Sequence, residues 1–232
     1  MADRPEGTIP APDTPGLTRE LAEGLARAAL SAIPVVGGAA VEALNFAVTR
    51  GRTARMQRWA EDITNAVNRH GLALEELSDR PGFLDTIGPA TRAAIETGSS
   101  IKIEALRNAV LNATMSPDLE RDRHAVLMDI LIALTPTHIK LLKLFDDPAA
   151  WFTNAGIEPP RLYAGSQHAV IEVAYPDLAQ DTTLLDRVVG DLDREGLSSI
   201  ALRTTMTGDG IVSARTRPLG AELLTFITEP PH

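Results

Sequence analysis

Three observations predict a mainly α-helical protein. Aromatic residues make up only 4% of the 232-residue chain. Alanine and leucine are abundant, which favours helices packed through small and aliphatic side chains over a β-rich core. Apolar residues recur at three- and four-residue spacing over long stretches, and Ser/Thr–Pro pairs repeatedly stand in front of those stretches. A hydroxyl N-cap followed by proline in the first turn is a helix-start signal.

The elements follow in order. Residues 1–15 carry four prolines and no apolar h-region, so a disordered tail over 1–14 without a cleaved leader is expected. Thr14-Pro15 opens a first helix whose Leu17, Leu21 and Leu25 recur every four residues. Pro34 stops it near Ile33, and Gly37-Gly38 lets the chain reverse. A long second helix is predicted from about Ala39 to His70, with Val41, Leu44, Val48, Met56, Trp59, Ile63 and Val67 on one broad face. At about 1.5 Å per residue it reaches roughly 45 Å. Arg50, Arg55 and Arg58 fall on the opposite side, and Arg52 nearer the apolar seam. Gly71 is the natural stop.

Further helices are predicted to open at Ser78-Asp79 with Pro81, at Ser99-Ser100, at Ser116-Pro117 and at Thr135-Pro136. Gly88-Pro89 is expected to kink or split the first of these. The last ends at Asp146-Asp147-Pro148. These elements compose a helical bundle over 15–148, followed by a linker at 149–159. Beyond it, Ser166 and Asp181 cap two helices, Gly196 takes the C′ position of the second, and Pro218 opens a final helix. Ile200–Thr207 and Ile211–Thr216 read as strands of a hairpin turning at Gly208-Asp209-Gly210.

That order, with LDREGL followed by a glycine-rich hairpin and TRPLGAELLTFI, resembles a winged-helix domain over about 160–228. The resemblance implies an α+β fold in which the helix before Gly196 is the recognition helix and Gly208–Gly210 tips the wing. Many such domains bind only protein. The stretches LRNAVLNATMSPD and LMDILIALTPTHIKLLKLFDDP resemble uncharacterised bacterial proteins that join a helical region to such a domain. The Pro-Val-Val-Gly-Gly hairpin before a long helix is similar to helical-bundle modules of bacterial conflict systems, which implies a defence context.

Composition narrows the function. With 44% apolar and 23% charged residues the chain is globular in type, and its length suffices for one sizeable core or two small domains. The net charge of −9 disfavours a nucleic-acid partner, because phosphate binding needs concentrated positive charge. The would-be recognition helix carries Asp186, Asp191, Asp193 and Glu195 against Arg187 and Arg194. Without cysteine there is no thiolate nucleophile, disulfide or Cys-based zinc site. The histidines show no HExxH spacing, no phosphate loop is present, and no Gly-x-Ser-x-Gly elbow appears. His138 is expected to contact the neighbouring Asp129 turn. No cofactor, metal or catalytic set is expected.

One stretch stands out. Ala28–Val48 holds 21 residues with a single charge, Glu42, and arginines follow at once. It reads either as the tip of a bundle or as a hairpin around Pro34, Gly37 and Gly38 that enters a membrane when the bundle opens. Split there, each arm is too short to span a bilayer. The expectation is a cytoplasmic, non-enzymatic interaction or regulatory module. Its contacts are Arg50, Arg52, Arg55 and Arg58 on the long helix, and Asp186, Asp191 and Arg194 on the C-terminal domain. A protein is the first-ranked partner, a membrane surface the second and nucleic acid the third.

Overall fold

The computed structural model describes residues 39–116 and 120–231. Among these residues there are eleven α-helices and one two-stranded sheet. Two compact units divide the chain, Met1–Asn65 and Ala66–His232. The expected tail, the first helix and the turn residues Pro34, Gly37 and Gly38 lie outside the described residues.

Helix α1 runs Ala39–Arg69, matching the predicted long helix. It ends at Gly71, whose φ of 66° is left-handed and suits only a residue without Cβ. Within the first unit, Met56, Trp59 and Ile63 are buried along one face of α1, while Phe46 and Val48 are exposed.

The second unit takes the end of α1 from Ala66, then a 3-10 helix, Leu74–Asp79, and continues with α2 (Pro81–Glu96) and α3 (Ser100–Met115). Helix α2 starts with proline in its first turn, as predicted. It does not break at Gly88-Pro89. Phe83 and Thr86 before the proline, and Ala90, Thr91, Ala94 and Ile95 after it, are all buried on the same packed side. Burial on both flanks of Pro89 offsets the roughly 3 kcal/mol that an interior proline costs.

Helices α4 (Arg121–Ala133), α5 (Pro136–Asp146) and α6 (Pro148–Ala155) follow. Helix α4 begins with Glu120 at its N-cap rather than Ser116, and residues 117–119 lie outside the described set. The stretch expected as a linker holds α6, whose Phe152 is buried. Asp147 explains it: its carboxylate accepts the Ala150 N–H at 2.9 Å, so the acid that ends α5 also caps α6.

The C-terminal elements are β1 (Ala164–Gly165), α7 (His168–Ala174), α8 (Pro176–Gln180), α9 (Thr182–Arg194), β2 (Met206–Thr207), α10 (Gly208–Ile211) and α11 (Pro218–Phe226). Asp181 caps α9 by accepting the Leu184 N–H at 3.0 Å, and Gly196 follows it with φ 71°, both as the sequence predicts. Gly190 of α9 is half-buried, yet an added Cβ there meets nothing within 4 Å. Gly190→Ala should therefore stabilise the protein by about 0.5–1 kcal/mol, read as a higher urea midpoint.

The predicted hairpin is not formed. Met206–Thr207 pairs antiparallel with Ala164–Gly165 instead, and residues 208–211 turn into a short helix. The Thr207 hydroxyl accepts the Gly210 N–H at 3.4 Å, and Ile211 is fully buried. Local capping and the burial of Ile211 thus override the turn signal of Gly-Asp-Gly. The returning chain pairs farther back: Ser199 donates to the Arg215 carbonyl at 2.8 Å, and Arg217 to the Leu197 carbonyl at 2.9 Å.

The core of this unit lies along α3 and α5. Leu106, Ala109, Val110 and Leu111 face Leu141, Leu142, Leu144 and Phe145 in a fully buried layer. Helix α9 packs on α5, and α11 packs on α3, α4 and α5. Two α3 asparagines complete the end of α11. Asn108 Nδ2 donates to the Ile227 carbonyl at 3.0 Å, and Asn112 Nδ2 to the Phe226 and Thr228 carbonyls at 2.8 Å each. Helix-terminal carbonyls left without such donors would lose their hydrogen bonds on burial.

Candidate functional site

The C-terminal end of α3, the first turns of α4 and the last turns of α11 enclose a cleft of about 410 Å³. Helical spacing builds each wall. Glu120, Arg123, His124 and Leu127 share one face at the start of α4, and Ala221, Glu222, Thr225 and Phe226 share one face of α11. Asn112 and Ser116 close the α3 side.

The floor is apolar. His124 lies flat on Phe226, with ring centroids 5.2 Å apart and planes 8° apart. Burial pushes the His124 pKa below its ordinary value, against the opposing pull of the Glu120 carboxylate 3.5 Å from Nε2. A neutral imidazole therefore presents its face to the cleft at pH 7. The rim is charged. Arg123 holds Glu222 through Nε at 2.8 Å and through a second, shorter contact from its terminal nitrogen. The volume falls within the few-hundred Å³ range of ligand clefts, and an apolar floor under a few polar groups is their usual lining.

The predicted contact acids lie elsewhere, on α9. Asp191 accepts from Arg187 Nε at 2.8 Å and from Arg194 at 2.5 Å. The Arg194 hydrogen bond chiefly holds its carboxyl below the usual range, with Arg187 adding to it. Asp186 binds Arg203 at 2.5 Å, and Asp193 binds Arg217 at 2.6 Å. The negative charge of this helix is thus met by arginines of its own and of the following segment.

The side chain of His138 engages the start of its own helix. Its Nδ1 accepts the Thr135 backbone N–H at 3.1 Å and lies 2.7 Å from the Thr135 hydroxyl, completing a capping box at the start of α5. An accepting Nδ1 puts the ring proton on Nε2, which faces Asp191 at 3.6 Å. Burial keeps this imidazole below its ordinary pKa, although Asp191 pulls the other way.

Lys102, an α3 residue that sequence periodicity passes over, is only 5% exposed. Its Nζ donates to the carbonyl oxygens of Leu131 and Leu134, and to that of Ile132 at 3.2 Å. It therefore closes the C-terminal end of α4, where the helix dipole favours a cation. Desolvation lowers its pKa from 10.5 to about 8.

On α1, Arg50, Arg55 and Arg58 are exposed and Arg52 is half-buried, as the predicted seam requires. Among the described residues no three His, Asp or Glu side chains converge as a metal site. No single described helix is long and apolar enough to cross a membrane. No family model, curated protein or solved structure matches this chain.

Proposed function

We propose that this chain is a non-enzymatic, cytoplasmic interaction module that receives a segment of a partner protein in the α4–α11 cleft. The composition of the cleft carries this reading: a flat His124–Phe226 floor inside a charged rim follows the apolar-centre, polar-rim layout of protein contacts. Glu120 on the rim, beside the Arg123–Glu222 pair, favours a segment that brings a basic residue beside an apolar anchor.

Two further observations support it. Three ionisable groups are engaged at helix ends, His138 and Asp147 in caps and Lys102 on three carbonyls, which favours a structural role for them over chemistry. The arginines of 187–217 meet Asp186, Asp191 and Asp193 or, for Arg215, the Gly210 carbonyl. Phosphate tracking needs convergent cations, so a protein partner is favoured over nucleic acid. A winged-helix-like role for 160–228 belongs to the same proposal. It rests on three helices, an antiparallel bridge between Ser198 and Thr216 in the segment that follows, and a final helix. The defence context rests on the resemblance of the helical stretches alone.

A photo-crosslinking phenylalanine analogue at exposed Thr225 tests the cleft in the native host. The expected result is one discrete protein adduct, lost on Ala221→Trp, with none from the same label at exposed Ala149. An adduct indifferent to Ala221→Trp, or no adduct at Thr225, would remove the cleft from the account.

A further inference from the structure

The segment between α6 and β1 presents Tyr163, which is 97% exposed, more than any other large apolar side chain among the described residues. Its backbone is held all the same. The Tyr163 carbonyl accepts the Gly208 N–H at 3.0 Å, and Ala164–Gly165 pairs with Met206–Thr207 directly after it. A Cβ on Gly208 would fall on the Leu162 carbonyl oxygen, so the two backbones lie in close contact. Pro159 and Pro160 stiffen the approach to this point. Arg161, two residues before Tyr163, pairs with Glu158 at 3.0 Å, with the two side chains 80% and 77% exposed. A pair so open to solvent holds its arginine weakly.

These features complement the α4–α11 cleft. Its His124–Phe226 floor suits a flat ring, and the Glu120 carboxylate has a neutral imidazole for its neighbour, 3.5 Å away. An aromatic side chain close to a guanidinium supplies both the apolar anchor and the basic head that this lining favours. Tyrosine and arginine are also among the residue types that carry most of the energy at protein contacts. A held backbone beneath an exposed side chain keeps the ordering cost of such a contact low. We propose, on the reading that the cleft receives a protein segment, that its partner is a second copy of this chain. Tyr163 of one copy seats on the His124–Phe226 floor of another, and its Arg161 leaves Glu158 for Glu120. Tyr163 stands in solvent in the single chain, so its own cleft is not what seats it. Plug and cleft are different surfaces, so copies either close a pair through two such contacts or continue head to tail.

Sedimentation velocity on the purified full chain across a concentration series is the test. The expected result is reversible, concentration-dependent association. Tyr163→Ala, which removes the plug, should weaken it about tenfold or more, and so should Ala221→Trp, which fills the cleft. Both positions are exposed, so the urea midpoints should match wild type. Mixing these two variants should restore a pair and nothing larger, because one copy keeps an open cleft and the other an intact plug. A chain that stays monomeric at every concentration would overturn the proposal. So would association indifferent to Tyr163→Ala, or a mixture in which no pair forms. A Thr225 crosslink to a different host protein, with the purified chain monomeric, refutes the second copy and leaves the cleft reading in place. No Thr225 adduct at all removes both.

Discussion

Lys102→Met is expected to destabilise the protein by about 2–4 kcal/mol at pH 7, because it strips the cation shared by three carbonyls at the end of α4. Two of those hydrogen bonds are buried, on Leu131 and Leu134, and an acceptor left unsatisfied in the interior costs about 1–3 kcal/mol. Methionine recovers the packing of the stem but none of the donors.

The same residue predicts a pH dependence with a definite sign. In the folded protein Lys102 loses its proton at about 8, and in the unfolded chain at the ordinary lysine value of 10.5. Between those values the unfolded state binds more protons, so stability contributed by this group rises with pH. Below about 8 both states are protonated and the cost of burying the charge is borne in full. From pH 8 to pH 10 the gain should approach about 2 kcal/mol, from 1.36 kcal/mol per unit. Urea titrations of wild type and Lys102→Met at both pH values isolate it, since other groups titrate equally in the two proteins. An identical slope in the variant would show that Lys102 is not the source.

Gly82→Ala has the second large effect. Gly82 sits in the first turn of α2, where the backbone of α3 passes so close that an added Cβ would fall on the Ala113 carbonyl oxygen. That neighbour is main chain and cannot swing aside. The helices must part, which loosens the buried contacts of Phe83 with the rest of the unit. Overpacking of this kind costs typically 1–3 kcal/mol, with backbone clashes at or above the upper end. Gly98→Ala is the matched control, because a Cβ there meets nothing within 4 Å, and its urea midpoint should stay within about 0.5 kcal/mol of wild type. A Gly82→Ala protein as stable as that control would mean that α2 and α3 do not cross at this distance.

Much of the helical layout was legible in local chemistry. The start of α2 at Pro81, the capped starts of α5 and α9, and the ends at Gly71 and Gly196 all follow from residues within one turn of the boundary. The long α1 was legible because its apolar face repeats over eight turns. The hairpin at Gly208–Gly210 was misread because Gly-Asp-Gly also suits a helical turn, and only the burial of Ile211 selects between them. Likewise Pro89 is a breaker by local rules, and only packing on both its flanks keeps α2 continuous.

The candidate cleft was not legible at all. Its α4 wall and its α11 wall are about a hundred residues apart, and neither stripe is unusual alone. His124 becomes a flat floor only when Phe226 is set beneath it. The acids of α9 show the opposite case. Each was legible as a charge, but whether that charge faces solvent or an arginine depends on how the chain returns after residue 198.

The sequence by itself therefore determined the mainly helical class, most helix boundaries and the exposure of Arg50, Arg55 and Arg58 on α1, because these depend on periodicity and on caps that act within a few residues. The tertiary structure alone decided the continuity of α2, the pairing of β2 with β1, the burial of Lys102 and the cleft. These depend on which distant surfaces meet, and the free energy of such meetings comes from apolar area and buried hydrogen bonds that no local window contains.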